Sequence, residues 1–125
     1  MNPIRQLIVI VEDDASMGRA LQRLLHVSGF DTLLFDSAEA FATATNTPVP
    51  HCLVLDVQLP GASGPRFYEQ LANQRPPAVF ITSHDSPATR SAVTSAGGGE
   101  LLTKPFVAQD FLDAISRAVL RGPPP

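Results

Sequence analysis

Two kinds of hydrophobic pattern take turns along this chain. Leu7-Ile8-Val9-Ile10-Val11 is a continuous apolar run, too short for a helix and apolar on both faces, as in a buried parallel strand. From Ala15 to Ser28 the apolar positions Met17, Leu21, Leu24 and Leu25 fall on one helical face, and Gly29 supplies a stop. Asp31 to Phe35 predicts a second, weaker strand, and Ser37 is an N-cap for a short helix opening on Ala38-Glu39-Ala40. After the connector Thr47-Pro48-Val49-Pro50, Cys52-Leu53-Val54-Leu55 predicts a third strand ending at Asp56. The turn-rich loop Pro60-Gly61-Ala62-Ser63-Gly64 leads into a helix from about Pro65 to Asn73. Ala78 to Thr82 is the fourth strand. Ser86 to Ala96 is a helix with Ser86 at its cap and Pro87 in the first turn, where a missing N–H costs nothing. Glu100 to Thr103 is a short fifth strand, and Gln109 to Leu120 a last helix with Phe111, Ile115 and Val119 inward and Gly122 past its end.

Five strands alternating with five helices imply an α/β fold, a doubly wound five-stranded parallel sheet with helices on both faces. In such sheets ligands sit outside the carboxyl ends of the strands, at the point where the strand order reverses. Glu12-Asp13, Asp56, Thr82 and Lys104 each stand at the carboxyl end of a predicted strand. If the first and third strands are neighbours, these groups converge on one place.

Composition narrows the function. The chain has 125 residues, one domain's worth, and can bury about two-thirds of its unfolded surface without staples. Its formal net charge of −3 is scattered, so no basic stripe invites direct nucleic-acid binding and nothing favours an anionic membrane. The start, Met1-Asn2-Pro3-Ile4-Arg5, lacks a signal-peptide pattern, and no apolar stretch is long enough to span a bilayer. The lone Cys52 lies in an apolar run, reads as a small buried hydrophobe and fits a reducing compartment. These features predict a cytoplasmic protein.

Lys104 is the only lysine; the other eight basic residues are arginine. An ammonium is a compact point charge, whereas a guanidinium is a broad planar fork, and the compact form suits a small oxyanion in a tight site. Three carboxylates crowded together repel, and one would be driven to hold a proton unless a divalent cation joined them. Hard oxygen ligands suit Mg²⁺, which binds through a few carboxylates together with a phosphate. A carboxylate can then attack phosphorus and form an acyl phosphate. A lysine beside the phosphoryl group would be worth about 4 kcal/mol to a unit charge 4 Å away at an effective dielectric near 20. Singly, each residue has an ordinary explanation: an acidic first turn for a helix, with Asp14 in that role, a turn aspartate, a strand threonine, a solvated lysine. Four at one end of one sheet point to a site.

Val11-Glu12-Asp13-Asp14, Leu55-Asp56-Val57-Gln58-Leu59-Pro60-Gly61, Ile81-Thr82-Ser83 and Thr103-Lys104-Pro105-Phe106 together resemble the receiver domain of two-component response regulators. The resemblance runs from about Gln6 to Arg121, and its tone is similar to receivers of the nitrogen-fixation regulator type. It implies the flavodoxin-like strand order 2-1-3-4-5. Residues 1–121 would form the receiver, with 122–125 a Pro-rich tail or the start of a linker. Asp56 would be the phosphoacceptor. Glu12, Asp13, Asp56 and the backbone carbonyl of Gln58 would hold Mg²⁺, with Asp13 the direct acidic ligand of the pair. Thr82 would bond one phosphoryl oxygen and Lys104 another, and the Lys104–Pro105 peptide would be cis. Gln58 and His84 occupy positions that tune dephosphorylation in the family, although His84 reads better as an exposed loop histidine. The implied partners are a sensor histidine kinase or phosphotransfer protein, an output domain, which receivers of this type usually precede, and a homodimer linked to phosphorylation. Such a domain catalyses only its own phosphorylation and dephosphorylation.

Two positions depart from the family. Leu101 stands where a Phe or Tyr is usual three residues before the lysine, and Gly97-Gly98-Gly99 replaces what is often a single glycine. The triple glycine reads as a flexible connector; no nucleotide-binding glycine motif fits it. These departures keep open a phosphorylation-independent pseudo-receiver acting as a protein interaction module. An aspartate-nucleophile phosphatase is a further alternative, but Gln58 stands where such enzymes usually carry a second acid.

Overall fold

The computed structural model describes residues 5–71 and 75–124. Its sheet is built from β1 (Leu7–Val11), β2 (Asp31–Phe35), β3 (Cys52–Asp56), β4 (Ala78–Thr82) and β5 (Glu100–Thr103), paired in parallel in the order β2-β1-β3-β4-β5. The order reverses between β1 and β3, so the crevice falls where the acidic residues lie. Five helices connect them: α1 (Ala15–Val27), α2 (Ala38–Thr43), α3 (Gly64–Gln70), α4 (Pro87–Ser95) and α5 (Ala108–Arg121).

Side chains alternate across a strand, so a strand apolar throughout needs cover on both faces. Val9, Val11, Leu53, Leu55 and Phe80 point to one face, where they pack with Ala38, Phe67, Tyr68 and Val93 of α2, α3 and α4. Ile8, Ile10, Val54, Val79 and Ile81 point to the other, against Leu21 and Leu25 of α1 and Phe111 and Ile115 of α5. Each fully buried side chain of this kind contributes about 1.5–3 kcal/mol. Cys52 is buried in the second layer, as its apolar setting predicts. The inward face of α5 is wider than the periodicity of large residues indicates. Ala114 and Ala118 are buried, while Val119 is only partly so, because small alanines let the helix settle closely on the sheet.

Helix ends follow their capping chemistry. Asp14, Ser37, Ser63 and Ser86 each accept a hydrogen bond from a first-turn amide of α1, α2, α3 and α4 respectively. Gly29 and Gly122, just after α1 and α5, have positive φ, which glycine adopts without steric cost. α3 starts at Gly64, one residue before the expected Pro65; its expected end at Asn73 lies outside the described residues.

The triple glycine is not a loose connector. Gly97 has φ +93°, beneath the Arg75 guanidinium, whose Nη1 donates to the Ala96 carbonyl at the end of α4 (2.7 Å). The same guanidinium stacks over the Tyr68 ring at 4.8 Å. A Cβ at Gly98 would lie 2.5 Å from Phe80 Cε2 and 2.8 Å from Val93 Cγ1, and one at Gly99 would meet the Arg121 guanidinium at 2.6 Å. Gly97 is set by its positive φ and Gly98 by close approach to the packed Phe80 and Val93, whereas the neighbour of Gly99 is the end of a flexible arginine.

At the amino ends of the strands, Pro123 lines a small cavity with Gln6, His51, Pro77 and Val119. The tail therefore leaves the domain on the side away from Glu12 and Asp56.

Candidate functional site

Register brings the sequence-predicted residues together. Val11 pairs with Leu55, Asp56 with Ile81 and Thr82 with Thr103. Glu12 and Asp13 thus emerge from β1 beside Asp56 at the end of β3, while Lys104 emerges from β5. Lys104 Nζ spans the gap, donating to Glu12 Oε1 at 2.7 Å and to Asp56 Oδ2 at 2.9 Å. Its own amide is fixed to the Thr82 carbonyl (2.7 Å), and the following peptide to Pro105 is cis, as the resemblance implies.

Glu12 and Asp56 are buried, at 1% and 5% exposure, while Asp13 is exposed. Burial pushes the Glu12 carboxyl up to about 7; the Lys104 bond pulls it down, and the neighbouring Asp56 pushes it up again. Burial works against the charge on Lys104, but its bonds to Glu12 and Asp56 outweigh that and hold the ammonium above its ordinary range. Oxygens of Glu12, Asp13 and Asp56 all lie within 4.8 Å of one another. One ammonium faces three carboxylates, all hard oxygen donors, one of them at the surface. That donor set and charge excess fit Mg²⁺.

The remaining groups frame the cluster. Asp56 Oδ1 accepts the Gln58 amide (2.8 Å), which orients the carboxylate and puts Gln58 at the rim. The Gln58 side-chain carbonyl accepts from Ser83 Oγ (3.4 Å), so the loops after β3 and β4 touch across the mouth. Thr82 is fully buried, and its hydroxyl is occupied locally: it accepts from the His84 amide (3.0 Å) and donates to the His84 carbonyl (3.2 Å). His84 is exposed. Gly64, read from the sequence only as a turn residue, has a positional role: a Cβ there would stand 2.2 Å from the Asp56 carbonyl oxygen. Its amide also closes the loop onto the Val57 carbonyl (2.9 Å). The glycine after Ser63 was the available signal, but glycine in a turn-rich loop does not by itself announce a backbone contact. Leu101 packs partly buried against the face that holds Phe80 and Val93.

Residues 8–116 match the family model described as the response regulator receiver domain. The chain belongs to this family. The receiver is 41% identical over 120 residues to nodulation protein W of Bradyrhizobium diazoefficiens, covering 94% of this chain and 52% of that protein. It is 33% identical over 120 residues to the transcriptional regulatory protein FixJ of the same organism, covering 94% and 58%. The crystal structure of a response regulator receiver protein from Burkholderia phymatum superposes with a TM-score of 0.81 at 36% identity, over 92% of this chain and 95% of that one. The receiver thus spans about half the length of the curated relatives it matches, and it is of the response-regulator type used in two-component systems.

Proposed function

We propose that this receiver accepts a phosphoryl group on Asp56 from a phospho-histidine donor, with Mg²⁺, and relays the event as a conformational change. The observation that carries this reading is the Lys104 ammonium bridging Asp56 and Glu12 at the switch point of the sheet. An Asp56 carboxylate oxygen attacks phosphorus; an O–P bond forms, the P–N bond of the donor breaks, and its electron pair leaves on the imidazole nitrogen. The Gln58 amide on Oδ1 and Lys104 on Oδ2 hold the carboxylate in one orientation for that attack. Lys104 then stands beside the phosphoryl oxygens as negative charge gathers on them. A Mg²⁺ ion held by Glu12, Asp13, Asp56 and the Gln58 carbonyl would supply the rest of the neutralising charge. Thr82 reaches a phosphoryl oxygen by giving up its bonds to His84, and that exchange begins the relay.

The donor on this reading is a sensor histidine kinase or a phosphotransfer protein, in the cytoplasm. Residues 1–121 are the receiver unit and 122–125 the start of a linker to an output domain, as in regulators of transcription, with a homodimer forming on phosphorylation. Incubation with acetyl phosphate and Mg²⁺ should add one phosphoryl group to the intact mass. EDTA, or Asp56→Asn, should abolish the gain. Labelling that survives either change refutes the assignment. Leu101, in place of the usual ring, favours the alternative of a phosphorylation-independent interaction module; an unlabelled wild type selects it.

A further inference from the structure

We propose that the Asp85–Arg90 ion pair holds the Thr82 loop in its resting arrangement and passes the loop's movement to the surface beside Leu101. The inference rests on the phosphoacceptor reading above. Thr82's hydroxyl is closed on both the amide and the carbonyl of His84, so turning toward Asp56 gives up both bonds and leaves the His84 backbone free to shift. Asp85 is the next residue. Its two carboxylate oxygens accept from Arg90 Nε at 2.8 Å and Nη2 at 2.6 Å, a fork that fixes both position and plane. Arg90 lies in the first turn of α4, whose cap Ser86 follows Asp85 directly, so the pair spans the loop and the helix it starts.

Arg90 also lines a groove of about 130 Å³ together with Val93, Gly98, Glu100 and Leu101. Leu101 has no polar tip to hold it in either of two positions. Arg90 has one, and Asp85 holds it. Movement of the loop therefore displaces a charge at the edge of this groove rather than a ring within it. The pairing is reflected in both partners: the Arg90 guanidinium holds the Asp85 carboxyl below its ordinary range, and Asp85 raises Arg90 above its own. Arg90 is a positioning residue on this account and does not touch the phosphoryl group.

The test is a beryllofluoride titration in the presence of Mg²⁺, followed through the amide resonances of Thr82 and Gly98. Wild type is compared with Arg90→Ala, Arg90→Lys, Asp85→Asn and the reversed pair Asp85→Arg with Arg90→Asp. Exposed pairs of this geometry are worth up to a factor of about five. Each single variant should therefore lower the half-saturating concentration, by about threefold. Arg90→Lys should behave like Arg90→Ala because it keeps the charge and loses the fork. The reversed pair should return toward wild type. Unchanged or raised midpoints in the single variants, or a reversed pair no closer to wild type than they are, overturn the inference alone. A wild type that does not respond to beryllofluoride overturns the phosphoacceptor reading and this inference with it.

Discussion

Lys104 serves two carboxylates at once through a single nitrogen, and a longer, planar guanidinium would have to shift those contacts. Lys104→Arg should fold normally yet slow labelling by acetyl phosphate about tenfold, the worth of one lost charge-assisted hydrogen bond. The check is the initial rate of mass gain beside wild type; equal rates would show that charge alone matters. Glu12 makes a second prediction. Its carboxyl is raised from 4.5 to about 7, so the folded protein binds a proton more tightly than the unfolded chain does. The associated stability is fully present below about pH 4.5 and is lost as pH rises through 7. Metal-free wild type should lose on the order of 2–3 kcal/mol relative to Glu12→Gln between those limits, read from urea melts at a series of pH values. Residues that end an apolar run were legible in the sequence as a set: each has an ordinary explanation alone, but the fold brings the ends of buried parallel strands to one place. Glu12, Asp13, Asp56, Thr82 and Lys104 all belong to that class. The loop pairings Ser83–Gln58 and Asp85–Arg90 were not legible, since nothing in a local pattern tells which exposed polar side chains will meet.

Elements behaved as their terminal chemistry directs. Ser37 and Ser86 cap where expected, and β1, β2, β4 and β5 keep their expected bounds, because short apolar runs between turn residues leave little choice of register. The start of β5 is where the reading from composition fell short. Glycine's intrinsic freedom suggested looseness, whereas the partners that demand the small size of Gly98 are the packed Phe80 of β4 and Val93 of α4, which composition does not name. Gly98→Ala should therefore cost about 1–3 kcal/mol, as overpacking does, and the urea midpoint of the variant decides it; a loose connector would be stabilised instead. β5 is also tied to α5 through Glu100, which accepts from Arg117 (2.9 Å) and Arg121 (3.3 Å). Burial alone would raise the Glu100 carboxyl, but these two bonds outweigh it and hold it below the ordinary carboxylate range. A depressed carboxyl stabilises above its ordinary pKa and loses that contribution as pH falls through its folded value. Wild type should melt higher than Glu100→Gln at neutral pH, and the two melting temperatures should converge as pH falls below the ordinary carboxylate range.

Across the whole molecule, one sheet divides the interior into two apolar layers and gathers its buried acidic groups at the carboxyl ends of its strands. That division was legible because strands apolar on both faces, alternating with amphipathic helices, point to a parallel sheet covered on both sides. Among the described residues no helix is long and apolar enough to cross a membrane, and no buried side-chain polar atom lacks a partner. The strand order came from the family resemblance, since alternation of strand and helix leaves several orders open. The tail at Pro123 sits among Gln6, His51 and Pro77, at the opposite pole from Lys104. An anchor attached behind that proline, whether a bead or a sensor surface, would present the acidic mouth outward, free to meet a bulky donor from solution.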